Sequence, residues 1–156
     1  MPMATPVLKV FISSQLLEVW EGDEKTRSYP ISTSMFGTGN EEGSLRTPLG
    51  TFEICEKYGK GQSLNTIFKG RSPMGQWTGE KSHDDEDLIL GRILRLSGLE
   101  KHNGNTFQRY IYIHGTNHEA TIGSPTSHGC IRMKRQDVAA LYEIIPTGSL
   151  IHISAT

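Results

Sequence analysis

Only one stretch of this 156-residue chain carries a helical period. Between Arg135 and Ile145 the apolar residues Val138, Leu141, Tyr142 and Ile145 recur at i, i+3, i+4 and i+7, the spacing that lines one face of a helix. Pro146 stops that helix, Thr147-Gly148 turns the chain, and Ser149 to Ile153 reads as a closing strand. The remaining apolar residues fall in short alternating or β-branched runs separated by Gly, Pro, Asn and Ser. Such a chain must build its core from a sheet and cover it with a single helix from its C-terminal half. At this length it suits one compact domain and is too short for two ordinary ones.

Val7 to Ile12 and Gln15 to Glu21 read as strands joined tightly by Ser13-Ser14. Glu21-Gly-Asp-Glu24 then turns the chain into a strand from Thr26 to Thr33, which makes the opening a β-meander. Ser34 to Pro48 reads as loop, and Pro48 with Gly50 marks a turn before a strand from Thr51 to Glu56. Leu88 to Leu96 fits strand or helix on pattern alone. Arg109 to His114 alternates, with Tyr110, Tyr112 and His114 on one side and Ile111 and Ile113 on the other, so His114 ends a strand. Residues 57 to 87 are the least regular, with glycines at 59, 61, 70, 75 and 79. So long a segment in a compact domain is either a functional lid or mobile insertion, or a solvated loop. The acidic run His83-Asp-Asp-Glu-Asp87 reads as a solvated face.

The 16 basic and 17 acidic residues give a net charge of −1, which argues against a nucleic-acid partner and against a polybasic membrane surface. No apolar stretch approaches the ~18 residues of a membrane span, so no membrane insertion is expected. Met1 to Ile12 lacks a basic n-region and a small-residue cleavage site, and Lys9 interrupts its apolar run. This predicts a cytoplasmic protein, or a periplasmic one if an export signal lies outside the sequence. Of the two cysteines, Cys55 sits in the alternating run Thr51-Phe-Glu-Ile-Cys55, as a half-buried small residue would. A disulfide to Cys130 is formally open, but a chain this long needs no staple.

Chemistry concentrates in His114-Gly-Thr116 and Ser127-His-Gly-Cys130. A thiol is nucleophilic as thiolate, and a neighbouring imidazole favours that form and shuttles the proton to a leaving amine. Gly129 lets the backbone bend so that consecutive N–H groups can converge on an oxyanion. Cys130 is therefore the candidate nucleophile. His114 is the candidate base, because the carbonyl of Gly115 could orient its ring.

The residues Ile111-Tyr-Ile-His-Gly-Thr116, Ser127-His-Gly-Cys-Ile-Arg-Met133 and Asp137-Val138 resemble the YkuD-type L,D-transpeptidases of bacterial cell-wall metabolism. Tyr29-Pro-Ile-Ser-Thr33 and Thr47-Pro-Leu-Gly-Thr-Phe52 are similar to that family's early strands and the turn between them, which extends the resemblance from about Val7 to Ile153. Two features depart from the pattern. Residues 115 to 126 make a spacer shorter than in many members, and Arg132 stands where many carry Asn.

The resemblance implies a mostly β fold, a β-sandwich of mixed sheets with one helix packed on it, and favours a strand at Leu88 to Leu96. It implies that Cys130 attacks the L,D bond before the terminal D-Ala of a peptidoglycan tetrapeptide stem. His114 would move the proton, and the amides of His128, Gly129 and Cys130 would hold the oxyanion. Ser127, Thr116 and Arg132 are expected to bind substrate, with Arg132 gripping a carboxylate or serving as a structural ion pair. Phe68, Lys69, Arg71 and Trp77 would line a groove for a sugar-peptide ligand. Neither a cofactor nor a metal is required, and the partners are stem peptides or muropeptides. Transfer to water would make an L,D-carboxypeptidase of murein recycling, and transfer to an amine a periplasmic enzyme forming 3,3 cross-links. The cytoplasmic expectation favours water.

Two other readings compete. His114 with His118 and His128 with Cys130 supply four donors that zinc accepts, although His128-x-Cys130 is tighter than the usual ligand gap. A non-catalytic peptidoglycan-binding module would also be β-rich, but binding alone needs no thiol.

Overall fold

A computed structural model of the chain describes residues 5–79 and 86–156. Residues 83 to 85 of the acidic run lie outside them. Strands β1 (Val7–Phe11), β2 (Leu16–Glu21) and β3 (Glu24–Pro30) form the expected meander. β4 (Gly50–Tyr58) follows the long loop, then β5 (Thr66–Lys69), β6 (Ser72–Gln76), β7 (Ile89–Gly98), β8 (Tyr112–Gly115) and β9 (Ile131–Met133). Helix α1 (Arg135–Ile144) and β10 (Leu150–Ser154) complete the chain.

Hydrogen bonds join all ten strands into one mixed sheet, in the order β3-β2-β1-β10-β4-β7-β5-β6, with β8 on β7 and β9 on β8. β1 runs parallel to β10, and β8 parallel to β9. The sheet folds back on itself. Just beyond β3, Ser32 exchanges two backbone hydrogen bonds with Arg132 of β9, at 2.9 and 2.8 Å, which closes the path from the meander to the far strands. The two leaves therefore face each other across one core, as the sandwich expectation requires, but they are continuous through shared strands.

That core collects the alternating residues of every leaf: Leu8, Val10, Leu17 and Val19 from the meander, Phe52 and Ile54 from β4, Leu94 and Leu96 from β7, and Ile113, Ile131 and Met133 from the far strands. Val138, Leu141, Tyr142 and Ile145 bring the helix face onto it, as their period predicted. Lys57 fixes the helix end. Its Nζ donates to the carbonyls of Tyr142 (2.7 Å) and Ile145 (2.8 Å), two of the acceptors that a helix C-terminus leaves without an internal partner.

Two expectations change. Residues 57 to 79 are more regular than their composition suggests, because β4 runs on to Tyr58 and β5 and β6 pair as a hairpin on the edge of β7. The strand expected from Arg109 begins only at Tyr112, because Tyr110 adopts a left-handed backbone (φ 56°) that ends the alternation. Leu88 to Leu96 lies largely in the strand β7.

Candidate active site

The site is a face of β8 and β9. Ile113 and Ile131 are register partners and both point into the main core, so Tyr112, His114, Cys130 and Arg132 share the opposite face. His114 lies level with Arg132, and Cys130, just before β9, stands beside Tyr112 and diagonal to His114. Phe68, Ile93 and Tyr112 form a small apolar cluster against which Cys130 packs.

His114 is 2 % exposed. Its Nδ1 lies 2.6 Å from the Gly115 carbonyl oxygen; because a carbonyl only accepts, Nδ1 carries the proton and Nε2 keeps its lone pair. Burial holds the imidazole below its ordinary pKa, with Asp87 and the Gly115 carbonyl pulling it up and Arg132 pushing it down. The ring is thus neutral at pH 7. A side chain at Gly115 would meet the Leu90 carbonyl oxygen at 2.5 Å, so only glycine lets the β8 backbone lie this close to β7.

The Cys130 sulfur accepts from the Tyr112 N–H at 3.4 Å and donates to the Tyr110 carbonyl at 3.5 Å. Burial pushes this thiol up to about 11, against a smaller lowering from the Tyr112 amide. It rests as a thiol, not as the thiolate the sequence motif suggests.

The turn that presents it is locked from within. Ser127 Oγ donates to the Cys130 carbonyl at 2.6 Å and accepts from the Gly129 N–H at 3.2 Å. Gly129 has φ 124°, a conformation closed to ordinary side chains, and its carbonyl accepts from Thr47 Oγ1 at 3.0 Å. Ser127 is wholly buried and shapes the loop. Thr116 is also buried, and its Oγ1 accepts from the His118 N–H at 3.0 Å. The Gly129 N–H is engaged by Ser127.

Arg132 is 4 % exposed, and its Nη2 lies 2.8 Å from Asp87 Oδ2. Nη1 donates to Thr126 Oγ1 at 3.3 Å. The ion-pair alternative for Arg132 therefore describes this structure, and an open grip on a substrate carboxylate does not. Half-exposed His128 stacks on Phe36 and brings Nδ1 to 3.9 Å from the same Asp87 oxygen. The sequence does not single out Asp87, because its five-residue run has the look of a solvated face and its partner Arg132 lies on β9, distant in sequence.

From the hairpin, Phe68 joins the wall beside Cys130, and Arg71 Nη1 donates to the Tyr112 hydroxyl at 3.0 Å. Trp77 lies elsewhere, under the Arg135 guanidinium, and Lys69 is exposed. A groove of about 320 Å³, lined by Leu45, Arg109, Tyr110, Ile111 and His128 among others, opens beside the turn. His118 donates from Nε2 to the Glu86 carbonyl at 2.7 Å. Among the described residues no three His, Cys, Asp or Glu side chains are grouped to hold a metal.

With this geometry in view, the YkuD family model, an L,D-transpeptidase catalytic domain, matches residues 5–153. The chain belongs to the YkuD L,D-transpeptidase catalytic-domain family. It is 27 % identical over 147 residues to the putative L,D-transpeptidase YkuD of Bacillus licheniformis, covering 94 % of this chain and 64 % of that protein. A 47-residue stretch is 50 % identical to the Bacillus subtilis protein of the same name, covering 30 % of this chain and 29 % of that one. Solved structures share the fold. An L,D-transpeptidase from Mycobacterium smegmatis superposes with a TM-score of 0.63 at 19 % identity, over 97 % of this chain and 59 % of that one. L,D-transpeptidase 3 from Mycobacterium tuberculosis, in complex with a faropenem-derived adduct, gives 0.61 at 16 %, over 96 % and 60 %. The chain thus spans somewhat under two thirds of the Bacillus licheniformis protein and of the two mycobacterial structures, and the Bacillus subtilis match covers less than a third of that protein.

Proposed function

We propose that this YkuD-family domain is a cysteine acyltransferase that cleaves the L,D bond before the terminal D-Ala of peptidoglycan tetrapeptide stems. The observation that carries this is the diagonal placement of Cys130 and His114 on one face, with Nδ1 of His114 committed to Gly115 and Nε2 left as acceptor. Nε2 takes the thiol proton as sulfur attacks the carbonyl carbon. The tetrahedral intermediate collapses to a thioester, and the same proton goes to the departing amine of D-Ala. With the Gly129 N–H committed to Ser127, oxyanion stabilisation falls to the amides of His128 and Cys130. The proton transfer must accompany attack, because the resting thiol is raised to about 11.

Water then attacks the thioester carbonyl as Nε2 takes its proton, the C–S bond breaks, and the proton passes to the departing Cys130 sulfur, which releases tripeptide and restores the thiol. On this reading the domain is an L,D-carboxypeptidase that meets soluble muropeptides in the cytoplasm, which cell fractionation would check. No described helix is long and apolar enough to cross a membrane.

Incubation with disaccharide-tetrapeptide, followed by mass analysis, tests the reading. Tripeptide and free D-Ala are expected, and Cys130→Ala should give neither. Cross-linked dimer as the main product would instead assign transpeptidation, with the acylation step unchanged. Because the matched Mycobacterium tuberculosis enzyme is in complex with a faropenem-derived adduct, faropenem should add mass to this protein at Cys130 and leave Cys130→Ala unmodified.

A further inference from the structure

Arg132 places a buried guanidinium on the strand beside His114, on the same face. A base that must accept a proton there would become a second cation next to the first. Asp87 answers that charge. It is delivered from the segment that enters β7, and its position is built. The Glu86 carbonyl accepts from Asn117 Nδ2 at 3.0 Å and from His118 Nε2 at 2.7 Å, and the Leu88 N–H donates to Asn117 Oδ1 at 3.0 Å. Asn117 and His118 follow His114 by three and four residues, so the loop leaving β8 grips the backbone on both sides of Asp87. Buried Leu88 anchors the same segment.

We infer that Asp87 is a positioning residue of the site: clamped by Asn117 and His118, its carboxylate holds Arg132 as a neutral pair, so that His114 can take up a proton without an uncompensated cation beside it. The inference rests on His114 acting as proton acceptor, as proposed above. Among the described residues, the charged groups acting on the ring are Asp87 and Arg132. Asp87 comes from the segment before β7, Arg132 and Cys130 from β9 and its approach, and β7 contributes apolar Ile93 as register partner. Half-exposed His128 joins through Asp87. The charges act on the imidazole in the expected senses, Asp87 raising its pKa and Arg132 lowering it.

The test is a titration of the His114 ring by NMR on histidine-labelled protein without substrate, with His114→Gln assigning its signal among the six histidines. Asp87→Asn should lower the midpoint by about one pH unit, the size of a lost neighbouring charge. Asp87→Glu should keep it near wild type. Arg132→Gln should raise it, and the double variant Asp87→Asn/Arg132→Gln, which removes both charges, should return it toward wild type. Should Asp87→Asn fail to fold around an unpaired guanidinium, the Arg132→Gln and double variants decide alone. A midpoint unmoved by Arg132→Gln, or a double variant as low as Asp87→Asn, would overturn the inference. In turnover, Asp87→Asn should lower kcat with KM little changed. If the midpoints shift as stated but wild-type protein leaves tetrapeptide intact, the proposed reaction fails and the pairing stands.

Discussion

The His114 ring is steered by its own neighbour: Nδ1 donates to the Gly115 carbonyl at 2.6 Å. The carbonyl can point there because Gly115 lies against the Leu90 carbonyl with no room for a Cβ, which would come within 2.5 Å. Gly115→Ala should therefore push β8 off β7 and swing the imidazole. A displacement of about 1 Å in a reacting group costs on the order of 100-fold in rate. Steady-state turnover of tetrapeptide by a folded Gly115→Ala protein would measure this, and near wild-type kcat would show that the carbonyl does not set the ring.

Cys130 should behave as a thiol that ionises late. Burial raises it to about 11, so iodoacetamide modification of the free protein should keep climbing above pH 9 instead of levelling near neutrality. If the ring accepts the thiol proton as proposed, His114→Ala should slow modification at pH 7. Cys55 is also raised by burial and donates to the Arg95 carbonyl at 3.4 Å, so peptide mapping must separate the two. A plateau for Cys130 below pH 8 would mean that a thiolate already exists at rest.

The sequence was legible where one residue's neighbours along the chain decide its state. The helical period from Val138 to Ile145 and the glycine at 129 belong to that class. Tyr110 does not: its left-handed backbone follows a compact turn over which Arg95 stacks, with its guanidinium 3.4 Å from the Phe107 ring centre. Nor do Ser127 and Thr116, whose hydroxyls look available for substrate until the fold buries them. Asp87 is the plainest case. One carboxylate in an acidic run carries no mark of its partner, and the sheet closure that buries Arg132 joins residues a hundred positions apart, Ser32 to Arg132.

Lys57 ties the helix to the sheet. Its ammonium donates to two carbonyls at the end of α1 and lies 4.1 Å from the centre of the Tyr142 ring. Lys57→Met keeps the apolar stem but leaves both acceptors without that donor, and should cost about 1–3 kcal/mol. Urea unfolding would register this as a lower midpoint with an unchanged slope. A loss confined to helix fraying, with no change in global midpoint, would contradict the coupling.

The proposed nucleophile and base should also shape stability against pH, in opposite directions. His114 is depressed in the fold, so below its unfolded pKa of ~6.5 the unfolded chain takes up a proton that the native ring resists. Stability conferred by the neutral ring is present above ~6.5 and is lost as pH falls toward the native pKa, with a limiting slope of about 1.4 kcal/mol per pH unit. Cys130 is raised to about 11, so above ~8.5 the unfolded thiol ionises first and alkali favours unfolding. The protein should be most stable between these limits. In chemical denaturation from pH 5 to 10, His114→Gln should flatten the acid limb and Cys130→Ala the alkaline limb, with part of the latter retained by Cys55, which is raised in the same sense. Glu56 and Glu119, both lowered in the fold, lose their contribution only below their ordinary range near ~4.3 and leave the His114 window clear. An acid limb identical in wild type and His114→Gln would show that the ring is not held neutral by its burial.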